Sequence, residues 1–140
     1  MPELPDQRLQ ADAFKNEANA LLKSGHYEQA VEKYTQAIQL CDTVPAYFTN
    51  RALAQTRLEN FGYAIEDASR ALDIDPNFVK ANYRKGLALM ALGRFRDARK
   101  ELKIVVKRAS KDEDAKRNLD ACEKMIRRQD FEKAIQVNSL

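Results

Sequence analysis

A chain of 140 residues, 44% hydrophobic and 32% charged, is long enough for one buried core and too apolar to stay disordered. Four glycines and four prolines are too few for the turns of a many-stranded sandwich or barrel, and the dominance of Ala, Leu, Glu, Lys, Arg and Gln favours an all-α fold. The net charge is +3, and no stretch approaches the run of about eighteen apolar residues that a membrane-spanning helix needs.

The charge is unevenly spread. Residues 1–44 hold four basic and seven acidic groups, net −3, and residues 45–78 hold three and five, net −2. Residues 79–112 hold eleven and three, net +8, and residues 113–140 hold six of each. A basic excess confined to one segment points to an anionic ligand more than to general nucleic-acid affinity.

Taken in chain order, residues 1–10 (MPELPDQRLQ) read as a lead-in, with neither the basic n-region nor the apolar h-region of a secretory signal. Cys41 and Cys122 lie far apart, and two thiols without such a leader suit a reducing compartment, the cytoplasm and also the nucleus. Both read as ordinary packed or partly exposed thiols, and His26, the one histidine, reads as a structural or merely exposed turn residue.

From residue 11 a period of 34 governs the chain. GHYEQAVEKYTQAIQL (25–40), ENFGYAIEDASRALDI (59–74) and GRFRDARKELKIVVKR (93–108) align without gaps. Tyr27, Phe61 and Phe95 coincide, as do Ala30, Ala64 and Ala98, and Ala18, Ala52 and Gly86 share one small-residue position. Each unit (11–44, 45–78, 79–112) reads as two antiparallel helices, A then B. One pair cannot bury its apolar face, so pairs stack and share a core. Gly25 and Gly93 are expected in the turn from A to B, with Asn60 and Gly62 serving the middle unit, while Pro45 and Pro76 punctuate the boundaries between units.

After residue 112 the period stops and residues 113–140 continue as a helix, which Ser110 and Glu113 are expected to open as a capping box. Ala115, Leu119, Cys122, Met125 and Ile126 form a stripe that would cover the open end of the third unit. Phe131, Ala134 and Ile135 continue it, so this helix is expected to project beyond the units.

The period and its shared positions resemble the tetratricopeptide repeat (TPR) over residues 11–112, about three quarters of the chain. The resemblance implies an all-α, right-handed superhelix of three helix-turn-helix units with a C-terminal capping helix, its A helices lining the concave surface. Positions 2, 5, 6, 9, 12 and 13 of each unit would then face the groove. They include Asp12, Lys15, Asn19, Leu22 and Lys23, then Thr49, Asn50, Leu53 and Arg57, then Lys80, Tyr83, Arg84, Leu87 and Met90. Lys80 and Arg84 lie one turn apart with no acid at that spacing, and such like charges repel by a few tenths of a kcal/mol. Lys15, Asn19, Asn50, Lys80 and Arg84 are expected to converge. Three cations and two amides suit a pair of neighbouring carboxylates, as on the last residue of a peptide.

These five residues match the carboxylate clamp of co-chaperone TPR domains. That likeness implies the Glu-Glu-Val-Asp tail of cytosolic heat-shock protein 90, and also of heat-shock protein 70, as ligand, with Arg57 as a secondary peptide contact. NFGYAIEDASRAL, MALGRFRDARKELKIVVK and DEDAKRNLDACEKMIRRQDFEKAI are further similar to the N-terminal domain of the serine/threonine protein phosphatase 5 family. This implies a non-catalytic domain that targets a phosphatase domain and, in cis, folds back to inhibit it, with Glu59 as an autoinhibitory contact. The phosphatase domain would need two divalent metals. This chain has no C-x-x-C, H-E-x-x-H or glycine-rich phosphate loop, so no catalytic residue, metal or cofactor is expected in it. The alternatives are an adaptor of another co-chaperone, a solenoid that self-associates through its last helix, and a nucleic-acid or acidic-protein binder using the basic third unit. Arg94, Arg96, Arg99, Lys100, Lys103 and Lys107 face outward on its B helix without interleaved aromatics for base stacking. Neither a membrane nor a nucleic acid is the expected partner.

Overall fold

The computed structural model describes residues 5–139, so Met1 to Leu4 of the expected lead-in and the terminal Leu140 lie outside the described residues. Among the described residues there are seven helices and no strand: α1 (Pro5–Lys23), α2 (Tyr27–Leu40), α3 (Pro45–Arg57), α4 (Phe61–Ile74), α5 (Val79–Ala91), α6 (Phe95–Arg108) and α7 (Glu113–Asn138). Each A helix packs on its own B helix, α1 on α2, α3 on α4 and α5 on α6. Consecutive pairs stack through α2 with α3 and α4 with α5, while α1, α3 and α5 also touch in series. The A helices therefore line one side of a superhelix, and α7 packs on α6 and α5 at its end.

The turns between A and B repeat atom for atom. The His26 N–H bonds Leu21 C=O at 2.8 Å and Gly25 N–H bonds Leu22 C=O at 3.2 Å. Asn60 to Gln55 (2.8 Å) with Glu59 to Thr56 (3.0 Å), and Arg94 to Leu89 with Gly93 to Met90 (both 2.9 Å), are the same motif one and two periods on. This Schellman closure satisfies the last A-helix carbonyls and needs a left-handed residue after the helix. Gly25 (φ 83°) and Gly93 (φ 75°) supply it, but in the middle unit the left-handed residue is Glu59 (φ 61°). The expectation that Asn60 and Gly62 serve this turn is thus corrected: Gly62 lies inside α4, and Asn60 precedes it at φ −90°.

Small side chains set the helix spacing. Ala11, Ala18, Ala30, Ala37, Ala52 and Ala64 are fully buried. At Gly86 a Cβ would lie 3.1 Å from Leu102 Cγ and Cδ2. The third unit has glycine where the others have alanine, and a methyl group there would crowd Leu102.

A charged staple recurs in one register. Glu17 pairs with Lys33 at 3.2 Å, Arg51 with Asp67 at 2.6 Å and Lys85 with Glu101 at 3.7 Å, each pair one period from the next and each tying A to B. The polarity is inverted in the first unit. Arg51 is the most engaged, giving Asp67 two bonds (2.8 and 2.6 Å) and Thr35 of the preceding unit a third (3.1 Å). In the first two units a phenylalanine lies under the cation, Phe14 at 5.5 Å from Lys33 and Phe48 at 5.7 Å from Arg51. The third unit has Asn82 at that position, which donates to Glu101 at 2.9 Å instead.

The start of α7 differs from the expected capping box. Its cap is Asp112, whose carboxylate accepts from Ala115 N–H at 3.0 Å, and Ser110 lies two residues outside the helix. Asp is as good a cap as Ser, and a one-turn link after α6 brings it rather than Ser110 into register. Ala115, Cys122 and Ile126 are buried as the stripe requires. Asn118 donates to the Tyr83 hydroxyl at 3.0 Å and the Cys122 thiol to Phe95 C=O at 3.0 Å. Beyond Ile126 every described residue of α7 is exposed. No helix among the described residues is long and apolar enough to cross a membrane.

Candidate functional site

A groove of about 510 Å³ opens on the A-helix side, lined by Asn19, Leu22, Lys23, Tyr27, Asn50, Leu53, Arg57, Lys80 and Arg84. All but Tyr27 are positions at which the period points inward. Of the five convergent donors, Asn19, Asn50, Lys80 and Arg84 share this wall; Lys15 stands one turn earlier on α1, outside the lining set. Arg57 joins the groove from the end of α3. Glu59 sits in the exposed turn after it.

Three expected inward residues are taken up by packing. Thr49 is fully buried, its hydroxyl turned back to Ala46 C=O at 3.2 Å. Tyr83 and Met90 pack against the cluster of Leu89, Leu102 and Ile126. Tyr83 and Met90 belong to the last unit, where α7 packs against α5 and Asn118 bonds the Tyr83 hydroxyl, so fewer inward positions are open there than the period alone suggests.

The polar geometry centres on Asn19. Its side-chain oxygen accepts from the Tyr34 hydroxyl at 2.5 Å and from Asn50 Nδ2 at 3.2 Å. With the carbonyl engaged twice, the amide is held in one orientation and its two N–H donors are left for the groove. Burial pushes the Tyr34 hydroxyl up to about 12, so it stays a donor throughout the neutral range. Tyr34 is the member of this network that sequence reasoning misses, since its place in the period marks it only as core. The one available signal is its hydroxyl, at a position filled by Ala68 and Leu102 in the other units.

Arg84 is the outlier in electrostatics. Its Nε is buried without a hydrogen-bond partner. Among the described residues, no ion pair involves Arg84, Lys80, Arg57 or Lys15. Burial lowers the Arg84 guanidinium from its ordinary value and nearby Arg57 adds to this, against a raising effect of Tyr83. A buried cation without a counter-charge costs stability unless an anion reaches it. Four cations (Lys23, Arg57, Lys80 and Arg84) and two amides around one groove have the donor chemistry to take carboxylates. The arrangement supplies no nucleophile or general base, and among the described residues no group of three or more His, Cys, Asp or Glu could hold a metal.

Comparison with known proteins places these features. Family models of the tetratricopeptide repeat match residues 57–119, and of the TPR repeat residues 18–59. Serine/threonine-protein phosphatase T of Aspergillus oryzae is 44% identical over 127 residues, covering 91% of this chain and 27% of that protein. Serine/threonine-protein phosphatase 5 of Homo sapiens is 41% identical over 125 residues, covering 89% and 25%. The match falls on their N-terminal TPR region, so the chain spans about a quarter of the length of these relatives. Among solved structures, the Arabidopsis OM64 TPR domain superposes with a TM-score of 0.83 at 30% identity, covering 84% of this chain and 98% of that one. The first TPR of Spaghetti (RPAP3), bound to the HSP90 peptide SRMEEVD, superposes with a TM-score of 0.83 at 28% identity, covering 85% and 97%. Repeat models, relatives and helix stack agree: the chain belongs to the tetratricopeptide repeat family.

Proposed function

We propose that the groove binds the C-terminal carboxylates of an extended acidic peptide of the Glu-Glu-Val-Asp type, as in the tail of heat-shock protein 90, with that of heat-shock protein 70 a second candidate. The observation that carries this reading is Arg84, a largely buried guanidinium with no counter-charge, facing the same groove as Lys80 and the fixed Asn19 amide. In this reading Lys80 and Arg84 take the carboxylates of the last residue, Asn19 and Asn50 donate amide N–H groups to them, and Lys15 closes the clamp from one turn earlier on α1. Arg57 takes a preceding carboxylate, and Leu22 and Leu53 seat an apolar side chain between them. The SRMEEVD complex of a structural neighbour supports this.

The similarity to phosphatases T and 5 supports a wider role. The domain would target a phosphatase to chaperone-bound substrates in the cytoplasm and nucleus and, in cis, hold it inactive with Glu59 among the contacts. The catalytic chemistry and its two divalent metals would belong to the phosphatase domain.

Calorimetric titration with a peptide ending Met-Glu-Glu-Val-Asp tests the clamp. The free acid is expected to bind in the micromolar range, about −8 kcal/mol, with the C-terminal amide and the Arg84→Ala variant showing no heat. A wild-type domain that binds the amide as tightly as the acid would sink the clamp.

A further inference from the structure

The basic excess of the third unit is only partly used by the groove. Along α6, Arg96, Lys100, Lys103 and Lys107 recur at intervals of four, three and four. At 100° per residue they fall within about 60° of one another, and at 1.5 Å per residue they form a ridge about 16 Å long. All four are exposed. Arg96 reaches Asp130 of α7 at 2.6 Å. Among the described residues no ion pair involves Lys100, Lys103 or Lys107, although the chain forms ten elsewhere.

The same register in the other B helices carries the opposite sign or none. One period earlier it holds Gly62, Glu66, Ser69 and Asp73, and two periods earlier Glu28, Glu32, Thr35 and Gln39. The ridge is therefore not a requirement of the repeat, whose core is on the other side of the helix. Like charges at helical spacing destabilise α6, and the helix dipole offsets this only for Lys107, in the last turn.

We propose that this outer face of α6 is a second docking surface, separate from the groove, and that its occupant is an acidic helical segment of a protein partner. Charge complementarity selects the sign. The spacing selects the shape, since carboxylates at i, i+4, i+7 and i+11 of a partner helix would meet the four cations turn for turn. Ile104, exposed beside the row, offers an apolar seat that a protein partner can fill and a phosphate backbone cannot. Phe95, the one aromatic of α6 itself, packs against the core cluster, so the helix that carries the ridge offers no stacking platform of the kind single-stranded nucleic-acid sites use.

The test uses a fluorescent, N-acetylated and C-amidated helical peptide with Glu at those four positions, the amide keeping it out of the clamp. Anisotropy titration at low ionic strength is expected to show saturable binding, lost at about 0.5 M salt. Lys100→Glu/Lys103→Glu/Lys107→Glu should weaken it at least tenfold, while Arg84→Ala leaves it unchanged. A peptide with Gln in place of Glu should not bind. Equal binding by wild type and the triple variant would overturn the proposal, as would absence of binding to the wild type. Tighter binding of a single-stranded RNA of equal charge to the same lysines would overturn it in favour of nucleic acid. Circular dichroism of each variant separates lost binding from lost folding, and because the groove is untouched, failure here leaves the clamp standing.

Discussion

Glu59 is held in a backbone conformation in which a side chain costs about 1–2 kcal/mol, while its equivalents one period away are Gly25 and Gly93. Replacing it with glycine relieves that strain but adds unfolded-state entropy worth about 0.4–1 kcal/mol. Relief is the larger, so Glu59→Gly should stabilise the domain by about 0.5–1 kcal/mol, read as a higher urea midpoint at unchanged slope; a lower midpoint would contradict this. Arg84 poses the same conflict between stability and use. Arg84→Met removes the uncompensated charge and keeps the volume, and is expected to raise Tm by a few degrees while abolishing peptide binding. Tyr34→Phe should leave the fold intact, since the ring stays, but free the Asn19 amide to turn, weakening the peptide by about 1 kcal/mol. Asp12 gives a pH signature. The Tyr47 hydroxyl donates to its carboxylate and holds it below the ordinary value of 3.8, against the opposing effect of burial and with help from Arg8. A depressed carboxylate contributes stability above its unfolded value and loses it as pH falls through the folded one. The Tm difference between wild type and Tyr47→Phe should therefore shrink once the pH is taken below about 4.

At the level of elements, the three staples separate by burial. The Asp67 side chain is 8% exposed and Arg51 20%, whereas Lys33 is 35% and Glu17 56% exposed. Arg51→Met strands a buried carboxylate and should cost about 3 kcal/mol, while Lys33→Met should cost less than about 1 kcal/mol. Denaturant unfolding of the two variants reads the contrast directly; equal losses would mean that burial does not set the value of the staple. The elements also show what could be read without coordinates. The period fixed the helix pairs, and the phase of the alanines put Asn19, Asn50, Lys80 and Arg84 on one wall. Among the features that escaped, two show the physical reasons. A turn closed by Glu59 is masked by Asn60 and Gly62, stronger turn formers lying just beyond it. A hydroxyl-to-amide bond between Tyr34 and Asn19 depends on how α1 meets α2, which periodicity does not encode.

Across the whole molecule, the three staples bear on how the chain finds its fold. In a stack of near-equal units, helix A of one unit has an alternative partner in helix B of the next. Pairing α3 with α6 by mistake would set Arg51 against Glu101, an attraction as good in sign as the native one. Pairing α1 with α4 would set Glu17 against Asp67, and the inverted polarity of the first unit makes that error repulsive. The chain thus guards its N-terminal boundary against slippage by one unit and leaves the C-terminal boundary to side-chain shape alone, where Leu102 fits Gly86 but would meet a Cβ at Ala52. Kinetic traps in refolding should accordingly be misaligned second and third units around a correctly paired α1 and α2.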